Sequence, residues 1–142
     1  MIIEKIKKQL AGAEGYTLIE LMIVLLILGV LAMIAVPSYL GFRVKAQGAA
    51  AQSNVRASVP AAESYFQDPA GGNNSYNLIS GATVRTQAPG IPSTVKAGYN
   101  AAKDGYCLQD TQGTNNYFYT GGNGGSATVA SGTCNTTTYT MA

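Results

Sequence analysis

The chain has 142 residues, a length that fits one small domain and not two full ones. Only 11% of the residues are charged and none is histidine, which excludes histidine as a catalytic base or a metal ligand. The formal net charge of +2 is too mild to favour a nucleic-acid partner. Mean hydropathy is close to neutral, but the apolar residues are concentrated near one end.

A short basic segment opens the chain, and an apolar run follows it. Three lysines lie within residues 5–8, and the stretch from Leu21 to Val36 carries no polar side chain. With residues 16–19 added, the run provides about the twenty apolar residues that span a bilayer core. Two basic residues follow within 43–45, so the charge balance weakly favours an inside N-terminus. We therefore predict a membrane-spanning helix and an exported C-terminal domain.

Three other interpretations of the apolar run compete with this one. A buried core helix is disfavoured because so small a domain cannot enclose a helix that is hydrophobic on every side. A cleaved secretory signal is disfavoured because the candidate cleavage site at residues 30–32 lies inside the run, and the one at 33–35 has a large first residue. A plain single-pass anchor stays open.

The boundary of the run reads GYTLIELM over residues 15–22. Gly15 is followed by an aromatic residue and then by Glu20 inside the apolar helix, a pattern that closely resembles the start of a type IV prepilin. The resemblance implies that a prepilin peptidase cuts between Gly15 and Tyr16 and methylates the new N-terminus. The family usually has Phe or Met as its first residue, so Tyr16 is a mild departure. The resemblance covers about residues 1–45.

Glu20, Gly29 and Pro37 stand where the family commonly has the same three residues. A carboxylate at the centre of a membrane helix costs about 2.5–3.5 kcal/mol on translocon scales, so it normally has a partner. The resemblance implies that Glu20 pairs with the N-terminal amine of a neighbouring subunit. The alternative is that Glu20 reaches the membrane surface. Between Gly29 and Pro37 the helix either unwinds in a filament, as the family suggests, or kinks at the proline.

Residues 38–67 are predicted to continue the helix as an amphipathic segment. The residues at a spacing of about 3.6 are Leu40, Val44, Gln47 or Gly48, Ala51, Val55, Ala62 and Phe66. Pro60 interrupts this pattern, so the helix either kinks there or restarts with Ser58 as an N-cap. A helix over residues 17–66 is about 75 Å long, and its N-terminal half needs a membrane or other subunits to cover it.

Residues 68–142 are predicted to form a sheet with loops. Residues 68–74 are a strong loop signal, and residues 121–125 read as a flexible turn. Short runs of β-formers lie between them and beyond, at Tyr76–Ile79, Thr83–Thr86, Thr94–Tyr99, Tyr106–Gln109, Tyr117–Thr120, Thr128–Ala130 and Thr136–Met141. We expect three or four of these to form an antiparallel sheet against the helix, with loop at the earliest and latest runs.

Cys107 and Cys134 are the two cysteines of the chain. In an exported domain of this size one disulfide is expected, and the family often closes its C-terminal region with such a bridge. Two thiols without histidine are too few for a metal site, and their spacing is not that of a redox motif. Asp104 and Asp110 flank a predicted strand, where they either cap turns or bind Ca²⁺, as in some secretion pseudopilins.

The predicted fold is therefore α+β: a long N-terminal α-helix packed against a small C-terminal antiparallel sheet. The predicted divisions are a cleaved leader (1–15), a membrane and filament-core helix (16–37), an amphipathic continuation (38–67) and a sheet domain (68–142). No cofactor, metal or small-molecule substrate is expected, and no catalytic motif favours an enzyme.

The resemblance implies a structural pilin subunit that waits in the cytoplasmic membrane and then assembles into a surface filament. Its implied partners are the membrane, copies of itself, a prepilin peptidase, an assembly ATPase and a platform protein. One alternative is a minor pilin or a pseudopilin of a type II secretion or DNA-uptake system. The other is a monomeric membrane-anchored binding domain. The purpose of the filament, whether motility, adhesion, DNA uptake or secretion, is left open.

Overall fold

The structure, a computed structural model, describes residues 15–141. The leader segment over residues 1–14, with its basic residues, lies outside the described residues. The chain forms two compact units that divide between Leu40 and Gly41. Helix α1, Leu18–Gln67, is the main element of the first unit and the opening element of the second. The predicted long N-terminal helix is confirmed.

In the second unit, one face of α1 is buried by small side chains at helical spacing. The buried residues are Gly48, Ala51, Val55, Ser58, Ala61, Ala62 and Tyr65. The predicted stripe is confirmed over residues 48–62, whereas Val44 is exposed. The chain stays helical across Pro60, and Ser58 starts no new helix because its hydroxyl donates to the Asn54 carbonyl, 2.7 Å away and one turn earlier.

Five antiparallel strands form one sheet in the order β4-β3-β2-β1-β5. They are β1 (Lys96–Asn100), β2 (Gly105–Gln112), β3 (Asn115–Gly122), β4 (Val129–Ser131) and β5 (Tyr139–Met141). On β2, Cys107 lies opposite Gly98 of β1 and Thr120 of β3. The predicted α+β class is confirmed. The expectation of loop at the last run is wrong, because β5 pairs with β1 and forms one edge of the sheet.

The two earliest runs of β-formers are not strands. Tyr76–Ile79 lies in a turn region, and Thr83–Thr86 lies inside the short helix α2, Gly81–Gln87. A capping box starts this helix: the Ser80 hydroxyl accepts from the backbone N–H of Thr83, and the Thr83 hydroxyl accepts from the backbone N–H of Ser80. This local signal outweighs the β-propensity of Thr83–Thr86.

The sheet packs apolar residues on both of its faces. On β2, Tyr106 and Leu108 belong to the main core with Val55 of α1, while Cys107 belongs to a separate cluster with Cys134. The predicted Cys107–Cys134 disulfide is present. Since β4 and β5 are the two edges of the sheet, the chain between them must cross it, and this bridge ties the crossing segment to the central strand.

Candidate assembly site

Three exposed, non-helical residues lie directly before the helix. Gly15, Tyr16 and Thr17 precede α1 and are exposed, with 83% of the Tyr16 surface accessible. Thr17 is the N-cap: its hydroxyl accepts from the backbone N–H of Glu20 at 3.3 Å. An exposed, non-helical peptide bond between Gly15 and Tyr16 is the backbone form that a peptidase can bind in an extended site.

Glu20 is tied to Thr17 in the described structure. Its Oε2 accepts from the Thr17 backbone N–H at 2.8 Å and from the Thr17 hydroxyl at 2.7 Å. With the return bond from the Glu20 N–H, these contacts form a capping box, in which the carboxylate also lies at the positive end of the helix dipole. Both of these bonds end on Oε2, and within residues 15–141 no group donates to Oε1.

The first unit presents apolar side chains around the whole circumference of α1. Every large apolar side chain from Leu18 to Val36 keeps between 51% and 77% of its surface exposed. Within the described residues, α1 is the helix long and apolar enough to cross a membrane, and none of its most apolar stretch is buried. Full burial of one such side chain contributes about 1.5–3 kcal/mol, so this surface requires a lipid or protein environment.

Gly29 and Pro37 lie within this exposed stretch. α1 is helical through both residues, and a side chain at Gly29 would meet no neighbouring group. Pro37 has no N–H to donate to the carbonyl one turn earlier, and Gly29 has the lower helix propensity of a residue without a Cβ. Within the exposed stretch, Pro37 therefore removes one helical hydrogen bond and Gly29 lowers the local helix propensity.

In the second unit, Glu63 joins α1 to β2 through Tyr106 and to the turn region after the helix through Tyr76. Its Oε1 accepts from the Tyr106 hydroxyl at 2.7 Å, and its Oε2 accepts from the Tyr76 hydroxyl at 2.8 Å. Burial first, and then the hydrogen bond to Glu63, raise the pKa of both tyrosines well above the usual value for a phenol. Sequence analysis missed this contact because its partners are far apart in the chain.

A second polar contact joins α1 to β2 nearer the start of the helix. Asp110 is fully buried, and its Oδ2 accepts from the Asn54 side chain at 2.7 Å and from Gln112 at 3.2 Å. The other oxygen, Oδ1, is buried without a partner among the described residues. Asp110 lies inside β2 and does not flank the strand, which corrects the sequence-based interpretation.

Asp104 and Asp110 do not form one site. Asp104 lies in the turn before β2, where it accepts from the side chains of Asn100 at 2.7 Å and Asn123 at 2.8 Å. These bonds lower the pKa of the Asp104 carboxyl below its ordinary value. Across residues 15–141, no three Cys, Asp or Glu side chains gather in a way that could hold a metal ion.

One family model matches the N-terminal part of the chain, and one relative matches about two thirds of it. The family model described as the prokaryotic N-terminal methylation motif matches residues 11–36. The type IV wide pilus major component PilA4 of Thermus thermophilus is 31% identical over 98 residues, which cover 68% of this chain and 72% of that protein. No solved structure matches the chain significantly.

Two further relatives match shorter parts of their own length. The type IV major pilin protein PilA of Myxococcus xanthus is 36% identical over 85 residues, or 60% of this chain. The type II secretion system core protein G of Escherichia coli is 37% identical over 94 residues, or 66% of this chain. The chain spans 39% of the first protein's length and 60% of the second's.

Proposed function

This chain belongs to the type IV pilin family, and from that premise we propose that it is a structural subunit that polymerises through α1 into a helical surface filament. The observation that carries the proposal is the uncovered apolar surface from Leu18 to Val36, which lies within the match to the methylation motif. Copies of the same helix, packed side by side, would bury that surface on all sides. The same surface suits a bilayer before assembly.

In this proposal the chain is made as a membrane precursor and is then processed. A prepilin peptidase cuts between Gly15 and Tyr16 and methylates the new N-terminus, which the exposed, non-helical backbone at these residues favours. The folded second unit lies on the exported side of the cytoplasmic membrane. An assembly ATPase and a platform protein then drive the transfer of each subunit into the filament.

Glu20 has two roles in the proposed assembly. Within its own chain it completes the capping box with Thr17, which satisfies the N-terminal N–H groups of α1. Toward a neighbouring copy, its Oε1, which has no partner within residues 15–141, accepts a hydrogen bond from the amine that cleavage creates at Tyr16. Such a pairing of opposite charges is stronger inside an apolar bundle than it would be in water.

The two roles of Glu20 are separable by a pair of substitutions. Glu20→Gln keeps an oxygen that can accept from Thr17 but removes the charge, whereas Thr17→Ala breaks the cap and keeps the charge. We expect normal cleavage in both variants, loss of filaments in Glu20→Gln and only reduced yield in Thr17→Ala. Filaments are scored by electron microscopy and cleavage by mass spectrometry. Normal filaments in Glu20→Gln would refute the charge pairing.

The second candidate is a pseudopilin of a type II secretion system, which the 37% identity to the Escherichia coli core protein G favours. Mass spectrometry of filaments sheared from the cell surface separates the candidates. A chain that begins with methylated Tyr16 as the main filament component supports the major pilin. Short periplasmic filaments together with a secretion defect in the deletion strain support the pseudopilin. An uncleaved monomer in the membrane refutes both.

A further inference from the structure

Two basic residues follow the apolar part of α1 within one helical turn. The twenty residues from 21 to 40 rise about 30 Å in a helix, which matches the hydrocarbon core of a bilayer. Arg43 and Lys45 come next, and both are exposed. In the membrane stage of the proposed function, their side chains therefore fall at the level of the lipid headgroups on the exported side.

Basic residues are usually fewer on the exported side of a membrane segment than on the cytoplasmic side. Two within three positions are therefore unusual on the exported side, and an anionic group at that level of the membrane accounts for them. The second unit has four carboxylates, and neutral groups occupy each one. Tyrosine hydroxyls bind Glu63, a backbone N–H and Gln87 bind Asp68, and side-chain amides bind Asp104 and Asp110. Within residues 15–141, no carboxylate is paired with Arg43 or Lys45.

We propose that Arg43 and Lys45 each bind the phosphate of an anionic phospholipid at the exported face of the membrane. The proposal rests on the membrane-inserted precursor of the proposed function. The arginine side chain can donate hydrogen bonds to two phosphate oxygens at once, and the lysine side chain carries a compact positive charge on a flexible chain. Anionic lipid surfaces attract such juxtamembrane cations.

The spacing of the two residues sets the number of lipids. Residues two positions apart in an α-helix are separated by about 200° around its axis, because each residue turns the helix by about 100°. Arg43 and Lys45 therefore reach toward opposite sides of the helix and cannot share one headgroup. Each is expected to hold its own lipid, so the structure assigns two anionic lipids to this level of the helix.

The test is native mass spectrometry of the full chain purified in detergent with equal amounts of phosphatidylglycerol and phosphatidylcholine. Arg43→Gln and Lys45→Gln should each retain about one phosphatidylglycerol fewer than the parent chain, and the double variant about two fewer. Phosphatidylcholine retention should not change. The leader lysines are present in every variant, so differences between variants report only positions 43 and 45.

Arg56→Gln is the matched control. Arg56 is also an exposed arginine on α1, but it lies eleven residues beyond Lys45, or about 16 Å further along the helix. Its substitution should leave lipid retention unchanged. Excess inorganic phosphate should not displace the lipid, because the acyl chains also hold it in place.

Three results would overturn the proposal. One is equal phosphatidylglycerol retention by the parent and the double variant. Another is an equal loss on Arg56→Gln, which would indicate non-specific charge attraction. The third is a double variant that retains its lipids but no longer forms filaments, which would assign Arg43 and Lys45 to a contact between copies. Failure of the proposed function is distinguishable, because the parent chain itself would then stay uncleaved in the membrane or form no filaments, whatever its lipid retention.

Discussion

Glu63 is the single side chain whose loss should most weaken the attachment of α1 to the sheet. Its two oxygens accept from Tyr106, which is fully buried, and from Tyr76, of which 3% is exposed. Glu63→Ala leaves both hydroxyls without their acceptor. A buried polar group that loses its partner costs about 1–3 kcal/mol, so two of them cost about 2–6 kcal/mol.

The lower half of this range, about 2–4 kcal/mol, is the expected loss, because Glu63 is only half-buried and water can reach part of the site. Small domains are stable by about 5–15 kcal/mol, so the variant should stay folded but unfold at a clearly lower urea concentration. Glu63→Gln is the matched control. Its amide can accept from one hydroxyl and donate to the other, so it should cost about 1 kcal/mol.

Unfolding is best followed by near-ultraviolet circular dichroism of the full chain in detergent, because the chain has nine tyrosines and no tryptophan. The pair is then isolated with a double-mutant cycle. Glu63→Ala should cost about 1–2 kcal/mol less in a Tyr106→Phe background than in the parent chain, because that background lacks the Tyr106 hydroxyl that would otherwise lose its acceptor. A cost below about 0.5 kcal/mol, or no coupling with Tyr106, would refute the assignment.

Three other properties follow from the second unit. Burial and the Glu63 contacts raise the pKa of Tyr76 and Tyr106 in the folded state. As pH rises past about 10, these tyrosines therefore ionise in the unfolded chain before they ionise in the folded chain. The free energy of unfolding should fall by up to about 1.4 kcal/mol per pH unit for each tyrosine. Urea midpoints between pH 9 and pH 11 should decline less steeply in Tyr106→Phe, and equal slopes would contradict this. The Cys107–Cys134 bridge closes a loop over a separation of 27 residues, so its reduction should lower the free energy of unfolding by about 3.5 kcal/mol. The measurement compares the free energy of unfolding with and without reductant, and no change would contradict the entropic model. Gly113→Ala should lose about 1–2 kcal/mol, chiefly because the residue has φ +61°; its Cβ would also displace the end of the flexible Gln47 side chain. Gly124→Ala, with φ +78° and open space around it, should lose a similar amount, and a much larger loss at Gly113 would contradict backbone conformation as the main cause.

Helical spacing of small residues and turn-forming residues between strands account for most of the features that were predicted correctly from the sequence. The recurrence of small residues from Gly48 to Ala62 predicted the buried face of α1, because a helix turns the same face to the sheet every 3.6 residues. Gly- and Asn-containing breaks located the hairpins of the central strands. The disulfide followed from there being two cysteines in a domain expected to be exported.

Features that depend on distant partners, or on a cap, were missed. Thr83–Thr86 has the β-branched residues of a strand, but the capping box at Ser80 starts a helix. The same type of signal at Thr17 and Glu20 was visible in the sequence and overlooked. β5 could not be predicted from its own residues, because it pairs with a strand about forty positions earlier in the chain.

The uncovered helix also limits what can drive the proposed assembly. Transfer of α1 from lipid into a bundle of copies exchanges one apolar environment for another, so apolar burial contributes little to the difference. What remains are close packing, which Gly29 and small neighbours such as Ala32 and Ala35 permit, and the polar contacts of Glu20. In lipid Glu20 has Thr17 as its partner, while in the bundle it gains a cation as well. A filament held by such a small difference can return its subunits to the membrane, which suits a polymer that must also disassemble.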